Sequence, residues 1–328
     1  MNIKQTVLRI IADSGDSFIS GAQIADSLGV SRNAIWKAIK SLEADGFVFD
    51  AVSNKGYRIS SDNNKLSSDI IKNSLKTTWL GNNIIVLDET DSTNNHAKKL
   101  ASEGAENGTV ILAERQSAGK GRYGRTFDSP PGTGLYMSAV LRPKLSLDAT
   151  QLITSCTACA AAEALERLCG HNVDIKWVND LYMNGRKICG ILTEASLSME
   201  TKSLDYAVVG IGINVGSVKE IFIPELSCIA TSVEDETNIK VSRNKLCAEI
   251  LNSLETYLED IESRSFLEEY RRRELLTGNI ITASSGGSKI TGTAVGIDDS
   301  ANLIVRLSDG SLKTFNSGEA NLCRIKKD

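Results

Sequence analysis

The amino-acid sequence predicts an α+β protein of three domains. At 328 residues the chain is too long for one small domain, and the usual domain size suggests two or three. Residues 1–62 combine short helical patterns with a small β segment, and residues 66–272 alternate β-rich runs with two long helical patterns. Residues 276–328 contain short strands separated by turns, which is typical of a small β-barrel. The segment 60–65 is polar and indicates a linker after the first domain.

Composition and charge exclude several classes of protein. With 41% hydrophobic and 24% charged residues, the chain has enough apolar material for a core, which excludes disordered and collagen-like proteins. No apolar run approaches a membrane span and the N-terminus lacks a signal-peptide pattern, so we expect a cytoplasmic protein with no membrane partner. The seven scattered cysteines favour reduced, buried thiols. Because the net charge is only −4, any contact with DNA must come from a local patch.

The first domain has the pattern of a winged helix-turn-helix. Ser20 and Gln23 form a capping-box pattern, Gly29 permits a sharp turn, and Ser31 can cap the next helix, whose polar face has no acid before Glu43. The residues of that face and of the following β-turn that we expect to contact DNA are Arg32, Asn33, Trp36, Lys37, Lys40 and Lys55. A solvated helical module that binds no DNA gives a similar pattern. The first 60 residues carry seven basic and six acidic groups, so affinity should be modest and dimerisation should help.

A glycine-rich segment after a predicted buried strand is the densest candidate for chemistry. Gly119, Gly121 and Gly124 have the spacing of a dinucleotide-binding fingerprint, but Phe127-Asp-Ser-Pro-Pro-Gly132 follows where that fingerprint needs a helix. A phosphate-binding P-loop is excluded because Gly121 stands where Ser or Thr is required. The cations that this flexible loop can close over an anion are Lys120, Arg122 and Arg125. A solvated surface loop is the alternative interpretation.

A second group of polar residues lies around a predicted hairpin. Val173–Asp180 has the pattern of a strand ending in polar groups, Asn184-Gly185 is a strong hairpin signal, and Arg186–Glu194 is the returning strand. The two ammonium groups, the amide and the carboxylate that this hairpin brings together belong to Lys176, Lys187, Asn179 and Asp180. Such a set suits a nucleoside triphosphate with its Mg²⁺, although each part by itself also fits a purely structural hairpin.

Together these motifs resemble the family of bifunctional biotin–protein ligases and biotin-operon repressors over essentially the whole chain. The motifs that carry the resemblance are Asp91-Ser-Thr-Asn94, Gly119-Lys-Gly-Arg-Tyr-Gly-Arg125, Lys176-Trp-Val-Asn-Asp180, Gly185-Arg-Lys187 with Gly190-Ile-Leu192, and Gly210-Ile-Gly-Ile-Asn214. Their order and spacing are specific, whereas the glycine loop alone would not be. The resemblance implies a central domain related to class II aminoacyl-tRNA synthetases and an SH3-like C-terminal β-barrel.

The resemblance also implies a two-step reaction with ATP and biotin as substrates and with Mg²⁺. Biotin and ATP form biotinyl-5′-AMP, and a lysine of a biotin carrier domain, such as that of acetyl-CoA carboxylase, then displaces AMP. Loaded with biotinyl-5′-AMP, the protein would form a homodimer and repress transcription at operator DNA. Two alternatives stay open: a catalytically inactive biotin-sensing repressor, which the intact set of cations disfavours, and a lipoate-type ligase, which the DNA-binding domain disfavours.

Roles for individual residues follow from the same resemblance. The predicted biotin-binding residues are Ser92, Thr93, Asn94, Gln116, Lys120, Gly121, Arg122 and Lys187. The predicted residues for ATP or adenylate are Arg122, Arg125, Lys176, Asn179, Asp180 and Asn214. Arg122 and Lys187 are the predicted catalytic residues, and Asp180 is the predicted metal ligand. Lys120 stands where the family also uses Arg, and Val178 where it usually has Pro; neither departure removes a charge, so activity should survive both.

Overall fold

The computed structural model describes residues 3–143, 150–197 and 204–323. Its N-terminal part is a three-helix unit followed by a β-hairpin. Its elements are α1 (Ile3–Asp13), α2 (Gly21–Leu28), α3 (Arg32–Ala44), β1 (Phe49–Val52) and β2 (Gly56–Ile59). The predicted caps form: the Ser20 hydroxyl accepts a hydrogen bond from the Gln23 N–H, the Gln23 side chain accepts one from the Ser20 N–H, and Gly29 ends α2 with a φ of 63°. Ser31 caps α3 with a single bond, in which its hydroxyl accepts from the Ala34 N–H.

The face predicted to contact DNA is open to solvent. All six residues of that set are exposed: Arg32, Asn33, Trp36, Lys37, Lys40 and Lys55. Half of the Trp36 surface is accessible, at 51%, although a tryptophan is normally packed in a core. The apolar residues of α3 point the other way, with Ile35 and Ile39 each only 1% exposed. The exposed ring and cations are therefore accessible to a partner, with Lys40 ion-paired to Glu43 at 2.6 Å.

The central part is built on a seven-stranded mixed sheet with helices on both faces. Its elements are α4 (Ser68–Lys72), β3 (Ile84–Thr90), α5 (Thr93–Ser102), β4 (Val110–Gln116), β5 (Gly134–Leu141), α6 (Thr150–Cys169), β6 (Asp174–Lys176), β7 (Asp180–Met183), β8 (Arg186–Leu197), β9 (Leu204–Asn214), α7 (Pro224–Ser227), α8 (Val233–Thr237), α9 (Arg243–Glu259) and α10 (Phe266–Arg273). The strand order is β3-β4-β5-β9-β8-β7-β6, and β3 and β4 are parallel. None of the described helices is long and apolar enough to cross a bilayer.

Alternation along the strands places one core on each face of this sheet. In β4, Val110 and Leu112 join the large core that contains α6 and α9, whereas Ile111 packs with Ala97 of α5 on the opposite face. Helix α5 packs against β4 and β5, and the Thr93 N–H in its first turn donates to Gln116 at the end of β4 at 2.8 Å. This packing places residues 92–94 beside Gln116.

The segment predicted as one strand, Val173–Asp180, is interrupted. The chain bends back after β6, so that β6 and β7 are antiparallel and Lys176 lies opposite Asp180. Asn179 stabilises the bend, because its side chain donates to the Ile191 carbonyl at 2.9 Å and its own carbonyl accepts from the Ile191 N–H at 2.9 Å. The predicted turn at residues 184–185 does form the hairpin between β7 and β8.

The C-terminal part is a five-stranded antiparallel sheet. Its strands are β10 (Ile280–Ser285), β11 (Ser288–Ile297), β12 (Leu303–Arg306), β13 (Leu312–Phe315) and β14 (Glu319–Leu322), in the order β13-β12-β11-β10-β14. Four of these were expected. The fifth, β14, is short and has only two apolar residues, so the sequence pattern did not reveal it.

The polar segment between the first two parts is bound by buried groups of the central domain. Arg243, at 2% exposure, donates to the Asn64 side chain at 2.8 Å, to the Gly134 carbonyl at 3.0 Å and to Glu114 at 2.8 Å. Glu114 also accepts from the Leu66 N–H at 2.9 Å. The segment is polar, as predicted. Its polar groups pair with buried groups of the central domain, and these hydrogen bonds fix the attachment of the N-terminal part.

A carboxylate of α9 fixes the loop before β3. Glu255 accepts hydrogen bonds from the N–H groups of Thr78, Trp79 and Leu80 at 2.6, 3.1 and 2.7 Å. Burial by itself would raise the pKa of this carboxyl, but the hydrogen bonds outweigh burial and lower the pKa below its ordinary value of 4.5. Glu255 therefore stabilises the fold above the unfolded-state pKa, and this contribution is lost as the pH falls through the lowered value.

We expect Glu255→Gln to lower the free energy of unfolding at pH 7 by about 2 kcal/mol, since the charge is lost and one of the two carboxylate oxygens, each of which accepts two hydrogen bonds, becomes an NH2 group that can only donate. Urea unfolding at pH 7 and at pH 4 measures the effect, which should shrink at the lower pH. Glu262→Gln, at an exposed position, is the control. An equal loss at both pH values would contradict the assignment of the effect to the charge.

Candidate active site

A cavity of about 630 Å³ lies between the central sheet and the C-terminal sheet. It is lined by all thirteen residues predicted for biotin and for ATP: Ser92, Thr93, Asn94, Gln116, Lys120, Gly121, Arg122, Arg125, Lys176, Asn179, Asp180, Lys187 and Asn214. They come from the first turn of α5, the end of β4, the loop after it, the bend between β6 and β7, the start of β8 and the end of β9. The sheet order brings these points together although the chain separates them by more than a hundred residues.

The polar end of the cavity is built at the start of α5. Gln116 Oε1 accepts from the Thr93 N–H at 2.8 Å and from the Thr93 hydroxyl at 3.1 Å. The Asn94 amide donates to the Leu192 carbonyl at 3.2 Å and to Glu194 at 2.9 Å. Since both protons of that amide have protein partners, the geometry favours a positioning role for Asn94, whereas it was predicted to bind biotin.

Close backbone approach explains one glycine of the Gly210-Ile-Gly212 motif. A Cβ atom at Gly210 would lie 2.0 Å from Asn94 Oδ1, so only glycine leaves room for that side chain. Ser138, fully buried on β5, donates to the same oxygen at 2.7 Å and lies 2.8 Å from the Thr93 hydroxyl. These contacts hold the first turn of α5 against the sheet.

Apolar residues that sequence reasoning missed form one wall. The Phe127 ring lies against Gly212 and Gly190. A Cβ atom added at Gly212 would come within 2.7 Å of the ring, and one added at Gly190 would lie 3.6 Å from it. Phe222, Leu226 and Ile229 are among the other apolar residues that line the cavity. They lie in loops and a short helix, where an apolar residue carries no periodic signal, so no sequence pattern could have selected them.

The glycine loop spans the cavity and is held on three different elements. Its three donor–acceptor pairs are Lys120 Nζ to Asn95 Oδ1 at 2.6 Å, Arg122 Nη1 to Asn179 Oδ1 at 2.9 Å, and Arg125 Nη2 to Glu319 Oε2 at 2.8 Å. Residues 122–124 form a single 3₁₀ turn and no helix follows, which agrees with excluding a dinucleotide fingerprint. The loop thus presents three cations to the cavity.

Opposite the loop, the hairpin contributes two ammonium groups and a carboxylate. Lys187 Nζ lies 2.7 Å from Asp180 Oδ1, and Lys176 Nζ donates to Asn321 Oδ1 at 2.7 Å. Burial lowers the pKa of Lys176, since its charged form is partly removed from water. A bound anion would offset that penalty, so this end of the cavity suits phosphate groups.

The C-terminal sheet completes the site, which the sequence did not indicate. Glu319 and Asn321 of β14 reach Arg125 and Lys176, and the Trp177 indole donates to the Ala301 carbonyl at 3.0 Å. Among the residues that the structure describes, no three His, Cys, Asp or Glu side chains are grouped as a metal cluster.

Each of the three parts of the chain matches a known protein family. Models of three families match the chain: a helix-turn-helix domain over residues 4–58, the biotin/lipoate A/B protein ligase family over residues 86–214, and the biotin protein ligase C-terminal domain over residues 277–322. The bifunctional ligase/repressor BirA of Bacillus subtilis is 35% identical over 321 residues, which are 96% of this chain and 97% of that protein. The chain belongs to the BirA family of bifunctional ligase/repressors.

Other members and relatives agree with this assignment. BirA of Escherichia coli is 31% identical over 315 residues, which cover 94% of each chain. Among solved structures, the biotin protein ligase from Aquifex aeolicus in complex with biotin and ATP is 30% identical, with a TM-score of 0.63, over 74% of this chain and 99% of that chain. Membership in the family confirms the resemblance inferred from the motifs, and the three family matches confirm the N-terminal, central and C-terminal organisation.

Proposed function

We propose that this protein is an ATP-dependent biotin–protein ligase that also represses transcription. The observation that carries the ligase is the cavity itself, in which polar groups at the start of α5 face the cations of the glycine loop and of the hairpin. The similar Aquifex protein is described with biotin and ATP together. The helix-turn-helix with its exposed basic face supports the repressor.

In the first step, an oxygen of the biotin carboxylate attacks the α-phosphorus of ATP, and the bond to the β-phosphate breaks. Pyrophosphate leaves and biotinyl-5′-AMP remains. The protein must hold two anions in contact and neutralise the charge that develops at phosphorus, which is the task of Lys187 and Arg122. Ser92, Thr93 and Gln116 would hold the polar ring of biotin.

In the second step, the neutral amine of a lysine on a biotin carrier domain attacks the acyl carbon, AMP leaves, and an amide forms. The amine gives up its proton during this step. The carrier domain of acetyl-CoA carboxylase or of a related biotin enzyme would supply the lysine. We propose that the reaction takes place in the cytoplasm, where ATP and such carrier proteins are available.

Mg²⁺ would accompany ATP and neutralise charge on its phosphates. Asp180 is suited to hold it, because its carboxylate is partly exposed to the cavity beside Lys176 and Lys187, at the end that suits phosphate. A nucleotide-bound Mg²⁺ needs only one or two protein carboxylates, since phosphates and water supply the rest. Asn179 and Asn214, which both line the cavity, would contact the nucleotide.

Repression would depend on the same ligand. We infer that biotinyl-5′-AMP orders the loops around the cavity and favours a homodimer, which presents two α3 helices to two half-sites of an operator. The near-neutral charge of the first 60 residues supports this, since a single copy gains little from phosphate contacts.

We also propose that the central domain is related to class II synthetases, that the C-terminal sheet closes into an SH3-like barrel, and that the domains span residues 1–62, 66–272 and 276–328.

The ligase is tested with purified protein, labelled biotin, ATP with Mg²⁺ and a biotin carrier domain. We expect label on the carrier lysine and release of pyrophosphate; transfer of lipoate but not of biotin would overturn the proposal.

The repressor is tested by binding to DNA upstream of the host's biotin-synthesis genes. The affinity for this DNA should rise when both biotin and ATP are present. An affinity that is the same with and without them would contradict ligand-dependent repression.

Arg122→Ala should shorten the lifetime of biotinyl-5′-AMP on the protein by about tenfold or more, because a hydrogen bond to a charged group contributes about 1.5–3 kcal/mol. In the structure its guanidinium bridges from the loop to Asn179 across the cavity. Chasing preformed labelled adenylate with unlabelled biotin measures its escape. Arg115→Ala is the matched control, as Arg115 is exposed and pairs with Glu89. An unchanged lifetime would show that the loop does not retain the intermediate.

A further inference from the structure

A buried serine behind the polar end of the cavity has no role in the function described so far. Ser129, at 5% exposure, lies in the loop between the glycine segment and β5. Its hydroxyl donates to the Phe127 carbonyl at 2.9 Å and accepts from Gln116 Nε2 at 2.8 Å. The main chains of Gln116 and Ser129 are also hydrogen-bonded, because the Gln116 N–H donates to the Ser129 carbonyl at 3.3 Å.

The proton count of these bonds determines how the Gln116 amide is oriented. A hydroxyl has one proton, and here a carbonyl takes it, so toward Gln116 the Ser129 oxygen can only accept. The nitrogen of the amide must therefore face Ser129. At the other end, the Thr93 N–H can only donate, so the amide oxygen must face Thr93. Both neighbours require the same orientation.

This orientation leaves one N–H of the Gln116 amide for a ligand. Its oxygen already accepts two hydrogen bonds from Thr93, and one of its two N–H groups is bound to Ser129. Within the part of the chain that the structure describes, the second N–H has no protein acceptor, and Gln116 lines the cavity. The cavity thus offers a hydrogen-bond donor at this point.

The first glycine of the loop is explained by the same contact. A Cβ atom at Gly119 would lie 2.3 Å from the Phe127 carbonyl oxygen, 2.7 Å from Ser129 Oγ and 3.0 Å from Gln116 Nε2. Any side chain at this position would push Ser129 away from Gln116. Gly119 therefore makes room for the bond between Ser129 and Gln116, while the cations further along the loop face the cavity.

We propose that Ser129 is a positioning residue that holds the Gln116 amide with its donor toward the ring carbonyl of the substrate. The inference rests on the proposed function, in which the substrate is biotin. The cyclic urea of biotin carries one carbonyl acceptor between two N–H donors. A fixed donor selects that acceptor and disfavours 2-iminobiotin, whose ring is a guanidine that is protonated near neutral pH and presents only N–H donors.

The test compares steady-state kinetics of Ser129→Ala with the unaltered protein. We expect the KM for biotin to rise about five- to tenfold, as for the loss of one hydrogen bond to a positioned group. The KM for ATP and kcat should stay within about twofold, and the preference for biotin over 2-iminobiotin should fall because the amide is less constrained. Ser129→Thr keeps the hydroxyl and should restore both the KM and the preference.

The controls separate this inference from the function on which it rests. Ser117→Ala removes an exposed hydroxyl of the same segment and should change nothing. If the unaltered protein transfers no biotin, the proposed function falls. If it transfers biotin and Ser129→Ala leaves the KM for biotin and the preference unchanged, or raises both KM values equally, the positioning role is wrong. Should Ser129→Ala fail to fold, Ser129→Cys keeps a side chain of the same shape that is slightly larger, weakens the acceptor, and answers the same question.

Discussion

Replacing Lys187 with methionine should lower the rate of adenylate formation by about 10²–10³-fold, as for the removal of one preorganised donor at a developing charge. Its ammonium group enters the cavity from the start of β8 and lies 2.7 Å from Asp180 Oδ1. When the biotin carboxylate attacks the α-phosphate, two anions meet, and no neutral side chain can offset their repulsion. Single-turnover release of pyrophosphate at saturating biotin and ATP measures the loss.

A double substitution shows what Lys187 neutralises. If its charge acts on the substrates, Lys187→Met combined with Asp180→Asn should be at least as slow as Lys187→Met alone, since Asp180 is also the proposed ligand of Mg²⁺. Recovery of the rate in the double variant would mean that Lys187 only balances Asp180. Lys240→Met, at an exposed position outside the cavity, is the control for loss of a lysine. A rate for Lys187→Met close to that of the unaltered protein would remove Lys187 from the catalytic residues.

Replacing Arg243 with methionine should lower the free energy of unfolding by about 3–5 kcal/mol, because the buried Glu114 carboxylate loses its partner at 2.8 Å and keeps the more distant Lys65, at 3.9 Å. The same change removes hydrogen bonds to Asn64 and to the Gly134 carbonyl. Urea unfolding measures the stability. Limited proteolysis should also show faster cleavage between residues 60 and 67, since Arg243 holds that segment.

Two further variants make this prediction specific. Arg115→Met removes an exposed ion pair next to Glu114 in sequence and should change stability by less than about 1 kcal/mol. Adding Glu114→Gln to Arg243→Met should recover part of the loss, because the uncompensated charge is then gone. If Arg243→Met were no more harmful than Arg115→Met, the network would not be the attachment of the N-terminal part.

Local chemistry made several elements predictable. The cap at Ser20, the left-handed turn at Gly29 and the hairpin turn at Asn184-Gly185 depend on residues within four positions of each other, and all three are present. The exposed cations of α3 could be predicted for the same reason, since a helix repeats its faces every few residues. The motifs then allowed the family and the substrates to be recognised.

Other parts of the site depend on contacts between distant segments. The bend at Trp177–Asn179 lies within a segment that the sequence pattern predicts as a continuous strand, and it is stabilised by a hydrogen bond to β8. Ser129 gains its position only because Gln116 and Phe127 meet it there. Likewise, Glu319 reaches the cavity only because β14 pairs with β10 and faces the central domain.

The sequence by itself determined the three-part organisation, the helix-turn-helix, the hairpin, the family and the set of cationic and polar residues that the cavity collects. Only the tertiary structure decided that Asn94 is engaged by the protein, that Phe127 forms a wall, that β14 contributes to the site, and that the polar linker is bound by a buried arginine. The physical reason is the range of the interactions. Caps, turns and amphipathic faces are set by neighbours in the chain, whereas hydrogen-bond partners and cavity walls are chosen by how the sheets and helices pack.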